Sequence, residues 1–66
     1  MTTEITDGEM IEAVRDKLAY IGTDFAPAIK AMIMQHMPVE AATTLRDVRK
    51  IPQDRRADFL EKLRRF

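Results

Sequence analysis

The sequence has no cysteine, no tryptophan and no serine, and among its 66 residues only two glycines and one histidine. Without cysteine there is no disulfide and no thiolate zinc site. Without serine, the hydroxyl nucleophiles reduce to Tyr20 and the threonines Thr2, Thr3, Thr6, Thr23, Thr43 and Thr44, none of them near a histidine in sequence. A catalytic triad would have to be built on His36, beside Met37-Pro38 at an expected helix end. Gly8 and Gly22 are too few to make a phosphate-cradling loop. Metal spacing is equally absent: His36 and Glu40 stand four apart with Pro38 between them, and no H-x-x-x-H or D-x-D-x-D occurs. The acid pairs Glu9/Glu12 and Asp54/Asp58 fall in expected first turns or on polar faces, where carboxylates stabilise helix starts. Apolar runs such as Ala31-Met32-Ile33-Met34 fall far short of a membrane span, and Met1-Thr2-Thr3-Glu4 has no basic n-region. The expectation is a cytoplasmic protein that is not an enzyme, with no catalytic residue, metal site or cofactor.

What is present is helix-forming. A composition 45% hydrophobic and 33% charged is that of a globular chain, although one this short buries only about 60% of its unfolded surface. A single helical domain over 1–66 is expected, with helices near 7–21, 25–36, 38–50 and 52–65. Thr6-Asp7-Gly8-Glu9 is a T-x-x-E capping box, with Ile5 and Met10 placed as its hydrophobic staple. Met10, Ile11, Val14, Leu18 and Ile21 follow at helical spacing, and Gly22 supplies the positive-φ stop. Asp24 is placed to cap a second helix whose apolar face runs Phe25, Ile29, Met32, Ile33 and His36, and Pro38 stops it. His36 reads as a partly buried residue at that helix's C-terminus. Pro38 then stands at N1 of a third helix with the stripe Val39, Ala42, Leu45 and Val48; Thr43-Thr44 weakens its centre, so a short helix followed by an irregular turn stays open as the alternative. Pro52 opens a last helix with Phe59, Leu60, Leu63 and Phe66 inward. No segment alternates with period two, so the fold class is all-α: a compact bundle of three to four short helices.

The zero net charge hides a division. Residues 1–33 carry six acids and three bases, and residues 34–66 carry eight bases and five acids, giving −3 and +3. Either the halves attract each other within the fold, or the second half meets an anionic partner. The basic string Arg46, Arg49, Lys50, Arg55 and Arg56, beside the apolar residues Met34, Met37 and Phe66, forms the expected partner-binding surface. Flexible thioethers suit an adaptable interface, and equally well fill gaps in a small core. No aromatic is interleaved with the bases, which argues against stacking on single-stranded nucleic acid. The leading expectation is a protein–protein interaction module. Two alternatives stay open. One is a helix-turn-helix DNA-binding regulator using Arg46 and Arg49, although Val39-Glu40-Ala41-Ala42 offers only Glu40 for base reading. The other is a self-associating structural protein, a homodimer included.

The stretch Thr44-Leu45-Arg46-Asp47-Val48, followed by Ile51-Pro52-Gln53-Asp54-Arg55-Arg56-Ala57-Asp58-Phe59-Leu60-Glu61-Lys62-Leu63, resembles the C-terminal helical module of bacteriophage recombination and antirepressor proteins. Those tails run as a helix, a leucine-rich L-x-D-[LI]-P turn and an amphipathic helix; here Arg49-Lys50-Ile51 is inserted before Pro52. Met37-Pro38-Val39, with Pro52, Arg56, Phe59, Glu61 and Leu63, is also similar to the theta subunit of bacterial DNA polymerase III, a three-helix protein. Each resemblance spans about half the chain. Both imply a non-catalytic helical module, phage-borne in the first case, that docks on a protein of DNA replication or recombination as inhibitor or adaptor.

Overall fold

A computed structural model of the chain describes residues 4–38 and 42–66. Among them the secondary structure is entirely helical: α1 (Asp7–Ile21), a 3₁₀ turn (Thr23–Phe25), α2 (Ala26–Gln35), a 3₁₀ helix (Leu45–Lys50) and α3 (Gln53–Arg65). The all-α expectation holds. The Cα radius of gyration, 11.0 Å, matches the roughly 11 Å of a well-packed chain of this length.

α1 begins where its cap lies. Thr6 is extended (φ −76°, ψ 160°) and its hydroxyl accepts from the Glu9 N–H at 3.1 Å. The helix ends at Gly22, whose N–H donates to the Leu18 carbonyl at 2.8 Å. Gly22 sits at φ 104°, ψ 150°, beyond the left-handed helical basin and in territory open essentially to glycine alone. α2 starts differently from expectation. Asp24 makes no capping bond; the chain first tightens into the Thr23–Phe25 turn, and Phe25 occupies the N-cap without a side-chain bond. Pro27 lies within the first turn, where its missing N–H leaves no partner wanting.

The third segment is the main correction. A helix over 38–50 is not formed: Pro38 lies in a bend, residues 42–44 are not helical, and only Leu45–Lys50 coils, as 3₁₀. The expected start at Val39-Glu40-Ala41 lies outside the described residues. The cause is Asp47. One carboxylate oxygen accepts from the Thr43 N–H (2.6 Å), the Thr43 hydroxyl (3.0 Å) and the Thr44 N–H (3.0 Å). It thereby holds the two β-branched residues outside the helix as a cap. The resulting short element is the keystone: α1 packs chiefly on it, and α2 packs on it too. Val48 and the following Ile51 are fully buried beneath Met10, Val14, Ile29, Ile33, Phe59 and Leu63, which form the rest of the central core with Met37 and Ala42. α3 is opened by Pro52 at the N-cap and tied to the start of the chain, where the Gln53 side chain bonds both the N–H (3.2 Å) and the carbonyl (2.6 Å) of Ile5.

Candidate functional site

Among the described residues three polar side chains are buried, and each is bound internally. Arg56 is only 6% exposed. Its Nε donates to the Ile51 carbonyl (2.8 Å), Nη1 to the Ile5 carbonyl (2.7 Å), and Nη2 to the Arg49 carbonyl (2.7 Å) and Asp7 Oδ1 (2.8 Å). The planar fork gathers carbonyls from the turn before α3 and from the start of the chain, which a lysine point charge could not do. Arg56 therefore leaves the expected partner-binding surface: its donors are spent inside the fold. Met37, 9% exposed, is withdrawn for a different reason, because it completes the core, and Met34 is half-buried against it.

His36 is buried rather than partly so. Nδ1 lies 2.8 Å from the Met32 carbonyl and Nε2 3.0 Å from Asp58 Oδ2, while its ring meets Phe59 edge-on at 5.5 Å. Both ring nitrogens thus face oxygen atoms, one of the backbone and one of a carboxylate. Asp58, exposed on α3, also meets Lys62 at 3.4 Å. Its carboxyl is held below the ordinary range chiefly by the His36 hydrogen bond; burial opposes this, and Lys62 adds to the lowering. Asp47 is held well below the carboxylate range by the Thr44 and Thr43 N–H groups and the Thr43 hydroxyl, with burial opposing and Lys50 assisting. These groups build structure. Among the described residues no group of three or more His, Asp or Glu side chains is placed to hold a metal ion, and no helix is long and apolar enough to cross a membrane.

What faces outward is charge and some apolar surface. Arg46, Arg49, Lys50 and Arg55 are exposed; Lys50 pairs with Asp47 at 3.3 Å. Arg46 and Arg49, three apart on a 3₁₀ helix, lie one above the other. Phe66 is 41% exposed and packs edge-on against Phe25, centroids 5.9 Å apart. Of the five ion pairs among the described residues, only Asp7–Arg56 joins the acidic half to the basic half. The division of charge is therefore carried at the surface rather than neutralised across the core.

Sequence reasoning missed two features. One is a cleft of about 320 Å³ between α1 and the 3₁₀ helix, lined by Ile11, Val14, Leu18 and Leu45 with Arg15 and Arg46. The other is a shallow trough between α1 and α3, formed in part by Ala13, Lys17, Leu60 and Arg64, beside Tyr20, which is 87% exposed. A signal for the first existed: the five apolar positions of α1 span a wider arc than one short neighbour covers. Comparison with family models, with curated proteins and with solved structures finds no match to the chain. Fold and surface together define a small all-α protein in which, among the described residues, the buried polar side chains are internally bound.

Proposed function

We propose that the chain is a non-catalytic interaction module that works in the cytoplasm by occupying the surface of a partner protein and modulating it. The observation that carries this reading is the uncancelled charge division. Among the described residues a single ion pair bridges the two halves, while Arg46, Arg49 and Arg55 stand exposed on adjoining elements. Like-signed charge held at a surface repels itself and is relieved by an anionic partner. The resemblance of about half the chain to phage and polymerase helical modules directs the search toward proteins of DNA replication or recombination.

The DNA-binding alternative has less to stand on. The element carrying Arg46 and Arg49 is a six-residue 3₁₀ helix with Asp47 and Val48 buried, not a recognition α-helix whose N-terminal turn enters a groove. Glu40, the expected base-reading residue, lies outside the described residues.

The test is affinity capture from the native host with the wild-type chain and with the double variant Arg49→Glu/Arg55→Glu, both checked for helicity. One protein retained by the wild type and lost with the variant supports the reading. Identical capture by both sinks it. A salt titration on random duplex DNA runs beside it, and salt-sensitive retention there would transfer the basic surface to the DNA reading. Sedimentation at two concentrations tests the self-associating alternative.

A further inference from the structure

The cleft between α1 and the 3₁₀ helix combines an apolar floor with two cations on opposite walls. Ile11, Val14, Arg15 and Leu18 stand at i, i+3, i+4 and i+7 of α1, so they share one face and extend along about 10 Å of helix. Leu45 and Arg46 form the facing wall. Val14 is buried at the bottom, while Ile11, Leu18 and Leu45 keep part of their surface exposed. Arg15 and Arg46 are both exposed, and among the described residues neither forms an ion pair or a side-chain hydrogen bond, although Glu12 and Asp16 lie close to Arg15 in sequence.

A volume of about 320 Å³ is at the low end for small-molecule sites, roughly 300–1,000 Å³, which also enclose most of their ligand. This cleft is a furrow along a helix, open on one side. Phosphates would gain nothing from its aliphatic floor. Its length fits two anchors one to two turns apart on an apposed helix, the arrangement of helix-in-groove recognition. The opposed arginines select the sign of the flanking charge. We propose that this cleft receives an acidic amphipathic helix of a partner protein, with apolar side chains seated on Ile11, Leu18 and Leu45 and carboxylates paired to Arg15 and Arg46. The proposal rests on the interaction-module reading and gives its partner a chemistry.

The experiment titrates the full ¹⁵N-labelled chain with a synthetic end-capped helical peptide bearing leucines on one face and glutamates on its flanks. A lysine-for-glutamate analogue serves as control. Shift changes confined to Ile11–Leu18 and Leu45–Arg46 are expected, with no saturable binding of the lysine analogue. Arg15→Glu/Arg46→Glu is expected to weaken the acidic probe by about tenfold or more, and Arg15→Gln/Arg46→Gln substitutes for it if helicity falls. Equal binding of both peptides, unchanged affinity in the double variant, or shifts centred on the Tyr20–Arg64 trough would overturn the assignment. So would cleft shifts on dilution of the chain alone, which would give the cleft to a second copy. The two readings fail separately. Host capture that depends on Arg49 and Arg55 but survives Arg15→Glu/Arg46→Glu rejects the cleft only, whereas capture insensitive to every variant rejects the module.

Discussion

Replacing Arg56 by methionine is the severest test of how this small fold is held. Methionine matches much of the aliphatic stem but deletes four donor contacts. Exchanging a buried ion pair for a hydrophobe is often neutral, because both charges vanish together. Here three of the four acceptors are backbone carbonyls, of Ile5, Arg49 and Ile51, and no substitution removes them. The Ile51 carbonyl bond is buried; those to Ile5 and Arg49 are partly so. The Ile5 carbonyl keeps the Gln53 amide donor; the stranded buried Ile51 acceptor costs about 1–3 kcal/mol, and the partly rehydrated Arg49 acceptor adds about 0.5–1 kcal/mol, for a total near 3 kcal/mol. A domain of this length has roughly 3–10 kcal/mol to lose, and a 3 kcal/mol loss lowers its Tm by about 20 °C. Urea denaturation followed by far-ultraviolet circular dichroism measures it directly, the midpoint falling by about 3 M at a slope near 1 kcal/mol/M. Asp7→Asn is the control. It removes only the ion pair to an exposed carboxylate and is expected to cost under about 1 kcal/mol. If Arg56→Met costs no more than Asp7→Asn, the carbonyl-gathering role assigned to Arg56 is wrong.

Three further outcomes follow from the same structure. Gly22→Ala is expected to destabilise by about 1–3 kcal/mol even though nothing lies within 4 Å of the added Cβ, since the cost is the positive φ. Gly8→Ala, in the first turn of α1 with Thr6 Oγ1 an ordinary 3.9 Å away, is expected to gain up to about 1 kcal/mol; thermal melts that reverse this order would refute the backbone argument. Asp47, whose carboxyl is depressed by three donors, contributes stability that is present above the unfolded carboxylate pKa and disappears as pH falls through its lower folded value. Asp47→Asn should therefore flatten the acid limb of the stability curve, and an unchanged limb would exclude Asp47 as its source. Finally, Asp58→Asn is expected to shift the ¹⁵N resonance of His36 Nε2 far more than that of Nδ1, which faces the Met32 carbonyl instead; equal movement of the two would contradict the geometry.

The parts of the fold legible in the sequence are those decided by neighbours. Thr6 and Gly22 delimit α1 because cap chemistry acts over three or four residues. Pro52 bounds α3 for the same reason. The third helix misled because Ala42, Leu45 and Val48 do pack on the core while the backbone beside them is claimed elsewhere: Asp47 reaches back to Thr43 and Thr44. Local hydrogen bonding of this kind competes with helix at equal sequence distance, and a hydrophobic pattern does not register it. Arg56 misled on a longer scale. Its partners Ile5 and Asp7 stand 51 and 49 residues away, a relation that no periodicity contains.

Both corrections sharpen the functional argument instead of weakening it. A chain with so little core is stabilised by drawing polar groups inward, and among the described residues Asp47, His36 and Arg56 are drawn in. Subtracting them leaves the surface basic along Arg46, Arg49 and Arg55, with Arg15 joining Arg46 across an aliphatic furrow. Arg15 belongs to the acidic half and was invisible to a count of charge by halves; only the packing of α1 on the 3₁₀ helix brings it beside Arg46. In the cleft Leu45 and Arg46 stand in 3₁₀ register. A continuous helix over 38–50 would have placed the residues around Leu45 in α-helical register and aligned Arg46 and Arg49 differently against α1. Stabilising that helix, by replacing Thr43, Thr44 and Asp47 together with alanine, would be expected to raise helicity while abolishing recognition of the acidic probe.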